Sequence, residues 1–513
     1  MVDNQQDVVP DDIDDEWSLS RRRALATAAA LGVSGLAGCT GGNDDGGGGG
    51  DNDGDGGGDD GGGGGDDGDG DGGDTEAPGG EFLFLTDYNN EAWQAKWEDN
   101  LVPAFEDQSN YEVRMEYSGF SGSQENRLAN LVQSGDPPAL QSSTFEQVGD
   151  LWASGQLSNV GDVVAAAEET SGELIGRPYH EGEDYWEFPH GAYVGTFMYR
   201  TDVYDELGLE VPTSFQGVLE NARIIDESDL DIRGYGLAGS KVGKAHDEFQ
   251  TYLANMGVSE LRFVNPDAEN LAEAEVEVWF PEEEIVTLLE FQKELSQYSP
   301  DPTGIGWGSS IRNYIGGQFA QQYHLNSWPA GAAAGAGVDA IAENTAVAPM
   351  PLWEEGGITK EDSMLSNPTM DGHHLFEEAT AREGGRRFLE FLYADDQERG
   401  ARMYETEPTR FLPAYGDIIT SETFESYQLF QDYPNLLENL QQVSNEILPE
   451  YYGNSDMPGV LANSPIGVYY YRFFHQAEMV NQVVTDTATP QEAYEFGLNR
   501  AEEIVAEARD QMR

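Results

Sequence analysis

The sequence predicts an α/β protein of more than one lobe, each lobe a mostly parallel sheet flanked by helices. Three observations predict it. The chain has 513 residues, too many for one ordinary hydrophobic core. Beyond residue 80, short apolar or alternating runs take turns with amphipathic stretches, the order that gives parallel sheets. And 22 Phe, 24 Tyr and 9 Trp supply the core material that disordered chains lack.

Taken in order, Phe82-Leu83-Phe84-Leu85 reads as a buried first strand, and Thr86–Asn90 as a polar loop. Trp93, Trp97, Leu101 and Phe105 recur at helical spacing from about Glu91, one apolar stripe of a helix. Tyr111–Tyr117 alternates as a second strand, and Asn126–Ser134 reads as a helix. Gly135-Asp136-Pro137-Pro138 breaks that helix and leads into a third strand near Ala139–Ser142. Farther on, Phe197–Tyr199 reads as a strand and Asp202–Leu207 as a helix closed by Gly208. Thr213 is placed to cap a helix bearing Phe215, Leu219, Ala222 and Ile225, and Gly234–Leu237 reads as another strand. Thr489-Pro490-Gln491-Glu492 spells a capping box with Pro at the first helical position, opening a last helix that runs through Ala508.

The charge is uneven. The formal net charge is −70, which argues against nucleic acid and against a basic face on anionic lipid. A single Cys excludes an intrachain disulfide, and no apolar run reaches the ~18 residues of a membrane span. Residues 1–20 hold seven acids and no base, then Ser20-Arg21-Arg22-Arg23-Ala24-Leu25 precedes a mild apolar run ending in Leu36-Ala37-Gly38-Cys39. This resembles a twin-arginine export signal, carried by Arg21 and Arg22, joined to a lipobox with Cys39 as the lipidation site. Residues 40–80 read as a disordered tether, with 22 Gly and 12 Asp among residues 41–80. Asp51–Gly56 begins like a calcium loop, but its twelfth position is Gly62, where a Glu is needed, so the tether reading is preferred and no metal is expected. The body after residue 80 keeps a net −53 with five Lys, at 96, 241, 244, 293 and 360. In multimolar salt, screening shortens to ~3 Å or less and such a surface barely repels itself, so the charge reads as adaptation to a strongly saline medium.

The motifs fall in a recognisable series. Leu131-Val132-Gln133-Ser134-Gly135-Asp136-Pro137-Pro138 is followed by Leu151-Trp152-Ala153-Ser154-Gly155-Gln156-Leu157. Then come Phe197-Met198-Tyr199-Arg200-Thr201-Asp202-Val203-Tyr204, Leu325-Asn326-Ser327-Trp328, Val347–Pro351, Gly384–Leu392 and Phe411-Leu412-Pro413. Over about 82–510 the series resembles the extracellular solute-binding proteins of sugar ABC importers, the maltose-binding type, here in a lipoprotein form like those of extreme halophiles. It departs at Ala139, Arg200, Phe215 and His373, which leaves the particular sugar open. The resemblance implies the two-lobed periplasmic-binding-protein fold of type II, with lobe one from 81–190 and 351–411 and lobe two from 191–350 and 412–513. The ligand lies in the cleft between them, and ABC permease subunits receive it.

A sugar offers hydroxyl pairs and apolar C–H faces, so its site needs aromatic platforms and forked polar groups. Asp87 and Tyr88 follow strand one; Ser143, Thr144, Glu146 and Gln147 follow strand three at its C-terminal end, where open α/β sheets bind ligands. The resemblance adds Tyr193 at the first crossover, Trp328 as platform, Tyr469 and Tyr470 as an aromatic run, and His246 and Asp247 as polar contacts. Trp307 among glycines, His373 and Arg410 complete the candidates. No nucleophile elbow, zinc-protease motif or Walker loop is present, so no catalytic residue and no cofactor are expected. The chain is read as a monomeric receptor, not an enzyme. A receptor for a peptide, polyamine or metal, and a secreted glycoside hydrolase, are the other readings. Cys39→Ser should release the protein into the medium, as read by immunoblot of membrane and medium fractions; retention on the membrane would refute the lipid anchor.

Overall fold

The structure is a computed structural model that describes residues 79–118, 122–144, 148–176, 178, 180–265, 274–365, 368–452 and 464–511. The export signal, Cys39, the tether as far as residue 78, Glu146 and Gln147 lie outside the described residues, and Gly80, expected to end the tether, already opens the first strand.

Thirteen strands occur among the described residues: β1 Gly80–Thr86, β2 Tyr111–Tyr117, β3 Leu140–Thr144, β4 His180–Glu181, β5 Asp184–Tyr185, β6 Phe188–Tyr193, β7 Gly195–Arg200, β8 Leu261–Phe263, β9 Val276–Val278, β10 Gln321–Leu325, β11 Thr345–Ala348, β12 Thr369–Leu375 and β13 Leu412–Pro413. Six form one sheet in the order β13-β6-β12-β3-β1-β2, and three form another in the order β10-β7-β11; β4–β5 and β8–β9 are hairpins. β1 pairs parallel with β2 and β3, as its sequence predicts. β12 and β13 join that sheet antiparallel. The second sheet corrects the expectation of parallel strands, because β7 pairs antiparallel with both β10 and β11. The segment expected as a strand at Gly234–Leu237 is extended backbone beside β10, held by a bridge at Arg233–Phe319 and by the Gly236 N–H donating to the Gln321 carbonyl.

The apolar run of β1 is buried on both faces. Phe82 and Phe84 join the main core, and Leu83 and Leu85 join a smaller cluster with Leu128, Leu131, Leu157 and Phe376, as expected of a strand covered by helices on both sides. The helix from Glu91 to Glu106 widens into a π turn at Trp97–Leu101. Pro103 lacks an N–H and crowds the preceding turn, which explains the irregularity there. Ser214, and not Thr213, caps the helix Phe215–Asp226, accepting from the Gly217 N–H. At Thr489 the capping box forms: the Thr489 N–H donates to Glu492 Oε2 at 2.9 Å, and the Glu492 N–H donates to Thr489 Oγ1 at 3.2 Å.

The two sheets are joined by strands that run from one to the other. β6 lies in the six-stranded sheet and, after Val194 alone, continues as β7 in the three-stranded one. The chain returns from β11 of the three-stranded sheet to β12 of the six-stranded one over residues 349–368. The helix Pro465–Tyr471, assigned by sequence to lobe two, also touches the first sheet's side: Val468 packs in the cluster of Leu83, Leu85 and Phe376.

Six histidines are core residues: His190, His246, His324, His373, His374 and His475 are at most 4% exposed. Burial lowers all six, His246 to about 4 and His373, His374 and His475 to about 3. Buried carboxyls shift the other way, Asp87 and Glu260 to about 7, with Asp371 and Glu248 also raised. The imidazole contribution is full above ~6.5, the value in the unfolded chain, and is lost as pH falls toward 4 and 3. The raised carboxyls contribute fully below ~4 and lose stability as pH rises through 7. His246, His373, His374 and His475 outweigh Asp87 and Glu260 in this window, so stability should fall between about pH 6.5 and 5, by roughly 1.4 kcal/mol per pH unit for each uncompensated imidazole. Urea midpoints measured across that window test this; a midpoint that rises on acidification would refute it.

Candidate functional site

The candidate site lies where the two sheets meet, and each side chain reaches it from the end of an element. Asp87 and Tyr88 follow β1, where the Tyr88 N–H donates to Thr86 Oγ1 at 3.1 Å and Asn90 caps the next helix by accepting from the Trp93 N–H. Asp371 stands on β12 opposite Thr144 of β3 and Gly191 of β6. The β12–β6 register shifts between Asp371 and Gly372. A side chain at Gly372 would bring its Cβ to 2.4 Å from the Phe188 carbonyl, so glycine is required at that bulge. Tyr193 ends β6, Arg410 precedes β13, and Trp328 opens the helix Trp328–Gly335. That helix lies close against the Arg410 segment, since a Cβ on Gly331 would come within 2.0 Å of Thr409 Oγ1.

Arg410 is the centre. Its Nε donates to the Tyr193 hydroxyl at 3.0 Å and its Nη1 to Glu407 Oε2 at 3.0 Å, while Nη2 stands 3.9 Å from Asp87 Oδ2. The guanidinium carbon lies 4.7 Å from the ring centre of Phe411, 4.8 Å from Trp328 and 5.4 Å from Tyr88. The Tyr88 hydroxyl donates to Asp371 Oδ2 at 2.9 Å and the Tyr193 hydroxyl to the same oxygen at 3.5 Å. Trp93 Nε1 donates to Glu407 Oε2 at 2.8 Å. Asp87 Oδ1 is buried with no hydrogen-bond partner. Burial, then the neighbouring Asp371 carboxylate, push Asp87 up to about 7 against the pull of Arg410. Burial works against the charge of Arg410, but Tyr193, Glu407, Asp87 and Asp371 outweigh it and hold the guanidinium protonated.

Asn326 fixes this arrangement. It sits at φ 48°, a left-handed position that Asn tolerates better than most residues. Its Nδ2 donates to the carbonyls of Ala192 (3.0 Å) and Arg410 (2.8 Å), and its Oδ1 accepts from the Val194 N–H at 3.3 Å. One side chain therefore ties β10 to the β6–β7 crossing and to the backbone of Arg410.

A line of rings leads from Trp328 into the second sheet's side. His324 meets Trp328 edge-on at 6.0 Å and Trp307 edge-on at 5.3 Å. Beyond them Lys244 is fully buried, donating to the Tyr323 carbonyl at 2.9 Å and paired with Glu248 at 3.3 Å. Its ammonium also lies 5.8 Å from the Trp307 ring centre. Burial lowers Lys244 and raises Glu248, and each partner opposes the other's shift.

Of the residues chosen from sequence, Asp87, Tyr88, Tyr193, Trp328 and Arg410 come together, with Thr144 beside Asp371. Ser143 is buried and donates to Gln141 Oε1. Trp307 and Asp247 lie on the second sheet's side, Asp247 accepting from the Tyr471 hydroxyl. Four others are held elsewhere. His373 is core, bonded to Ser142 Oγ at 2.9 Å and the Tyr393 hydroxyl at 2.7 Å. His246 is core, its Nδ1 against Gln476 Oε1 at 2.7 Å. Tyr470 is core, bonded to Glu260 and His475. Tyr469 lies against Arg472 and Phe473. Periodicity cannot tell a run of three tyrosines facing a cleft from one packed in a helix pair, and a buried helix pair is what forms. Sequence reasoning missed Asp371, Glu407, Trp93 and Asn326. Glu407 had a signal, its i,i+3 spacing to Arg410; Asp371 had only its place before Gly372.

The family model described as bacterial extracellular solute-binding protein matches residues 86–399. The chain belongs to this family. Its members bind solutes and are not enzymes, and their place is extracellular. The fold of this solute-binding protein is two-lobed, as in several solved structures. One is an ABC transporter solute-binding protein from Thermotoga lettingae bound with α-D-tagatose, at TM-score 0.61 and 16% identity, covering 84% of this chain and 100% of that one. Another, from Agrobacterium radiobacter in complex with ribitol, has TM-score 0.63 and 16% identity over 83% of this chain and 98% of that one. A third, maltose-bound MalE3 of T. maritima, has TM-score 0.62 and 14% identity over 83% and 100%. No curated protein matches this solute-binding protein in sequence.

Removing Arg410 leaves three buried carboxyl groups without their shared cation. Arg410→Met should therefore cost about 3–5 kcal/mol, read as a lowered urea midpoint at pH 7, and Arg410→Lys should recover part of it. A midpoint unchanged in Arg410→Met would refute the central role of the guanidinium.

Proposed function

We propose that this solute-binding protein is the extracellular, lipid-anchored substrate-binding subunit of an ABC importer, and that it captures a carbohydrate between its lobes. The carrying observation is the group at the junction of the sheets: Trp328, Tyr193, Tyr88 and Phe411 around Arg410, with Asp87, Asp371 and Glu407 within reach. Aromatic faces complement the C–H faces of a sugar ring. Carboxylates and a guanidinium fork onto its hydroxyl pairs. The sugars and polyol in the three solved structures above agree with this chemistry.

In this reading lobe one comprises 81–190 and 351–411 and lobe two 191–350 and 412–513. The strands between them act as the hinge, and closure around the ligand forms the surface that the permease engages. A lipid on Cys39 and the tether 40–80 keep the receptor near that permease as a monomer. Ser143, Thr144, Trp307 and Asp247 extend the candidate contacts, and Glu146 and Gln147, outside the described residues, remain candidates from the sequence.

Titration of neutral sugars should give a saturable change in tryptophan fluorescence, with the sugar recovered unaltered. Trp328→Ala should weaken that binding at least about tenfold, the scale of a lost aromatic platform, with near-UV circular dichroism retained. Equal affinity of the variant by calorimetry would remove the platform role, and hydrolysis of the sugar would remove the receptor reading.

A further inference from the structure

The charges around Arg410 do not balance. Asp87, Asp371 and Glu407 are each at most 8% exposed, and one guanidinium serves all three. Glu407 is satisfied by Arg410 and Trp93. Asp371 is satisfied by two tyrosine hydroxyls, which donate a hydrogen bond but bring no charge. Asp87 is the remainder: its Oδ1 is buried without a partner and its Oδ2 is 3.9 Å from the guanidinium. The walls add to the imbalance, because the faces of Tyr88, Trp328 and Phe411 are negative and attract cations. Among the described residues, Arg410 is the cation that acts on both Asp87 and Asp371. A metal ion is an unsuitable answer, since among the described residues no group of three His, Cys, Asp or Glu is placed to hold one.

We infer that the ligand of this cleft carries a protonated amine that seats against Asp87, making it an amine-bearing polyhydroxy compound rather than a neutral sugar. The inference rests on the carbohydrate reading of the same cleft and narrows it. A hydroxyl would satisfy the free oxygen of Asp87 and leave the charge excess buried. An ammonium satisfies the oxygen with one of its three donors, offsets the excess charge, and leaves two donors for Asp371 or the aromatic faces. The raised value of Asp87, about 7, has the direction expected of a carboxyl that lacks such a cation.

The test is calorimetry on the purified full chain at pH 7 with matched probes: glucose against glucosamine, galactose against galactosamine, and spermidine as an amine without hydroxyls. The expected result is that the amine member binds at least about tenfold tighter than its hydroxyl partner. Asp87→Asn should bring the two within about threefold, and Asp87→Glu should keep the preference; near-UV circular dichroism checks that both variants fold. Neutral sugars that bind as tightly as their amines overturn the inference and leave the carbohydrate reading intact. A preference that survives in folded Asp87→Asn overturns the assignment to Asp87, and the wild-type pairs alone decide the charge preference where that variant does not fold. Failure of both amino sugars to bind overturns it as well. Spermidine binding with no sugar bound at all removes the carbohydrate reading and, with it, the polyhydroxyl part of this inference.

Discussion

The left-handed Asn326 and the three hydrogen bonds of its side chain hold the two halves of the molecule in register. Its backbone N–H donates to the Val194 carbonyl at 2.8 Å, and the Thr196 hydroxyl donates to its own carbonyl at 2.8 Å. With the side-chain bonds to Ala192, Val194 and Arg410, one fully buried residue meets β6 of one sheet, β7 of the other and the segment that carries the central cation. Buried polar groups are costly when unpaired, so this side chain stabilises the fold only while all three segments stay in place. Asn also meets the steric need of φ 48°, where β-branched or bulky residues are strained. Trp328 is two residues on, so the position of the aromatic platform follows from the same constraint.

The electrostatics of the site and of the surface answer different needs. The surface acids of the body face solvent, where salt screens them, and most exposed ion pairs contribute little to stability. The acids around Arg410 are removed from solvent, where screening fails and the balance of charge must be met by atoms in contact. The same residue type therefore has two explanations in one chain, and only burial separates them. Lys244 and Glu248 illustrate the balanced case: both are buried, and the pair is completed by the Tyr323 carbonyl, the Tyr235 hydroxyl and the Ala238 N–H.

Much of the first sheet was legible because its signals are local. Tyr111–Tyr117 alternates and forms the strand over those residues, and Thr489–Glu492 forms the capping box it spells. The second sheet was not legible in its direction, because strand pairing is a non-local choice and β7 reads alike in either orientation. The site divided along the same line. Asp87 and Tyr88 follow a strand end, where ligands are bound in open α/β sheets, while Tyr193 and Trp328 came from the family resemblance. Asp371 needed the pairing of β12 with β3 and β6, and Asn326 needed its backbone angle; neither is written in spacing. His373 was misread because a polar residue beside a departure from a family motif looks functional, whereas Ser142 and Tyr393 supply all that its ring needs.

Among the described residues, the contacts between the two sides include two kinds whose placement bears on opening. At the crossing strands they are directional hydrogen bonds, those of Asn326, which a rotation about that point can preserve. Away from it, Val468 packs with Leu83, Leu85 and Phe376, and a Cβ on Gly149 would meet its Cγ1 at 2.4 Å. That contact is apolar and close, and its burial is worth about 1.5–3 kcal/mol for a side chain of this size. In the hinge reading, opening preserves the first kind and gives up the second. A ligand can shift such an equilibrium only by its difference in affinity for the two arrangements. The Arg410 group, reached from β1, β6, β12 and the Trp328 helix, is placed where a ligand can engage both sides.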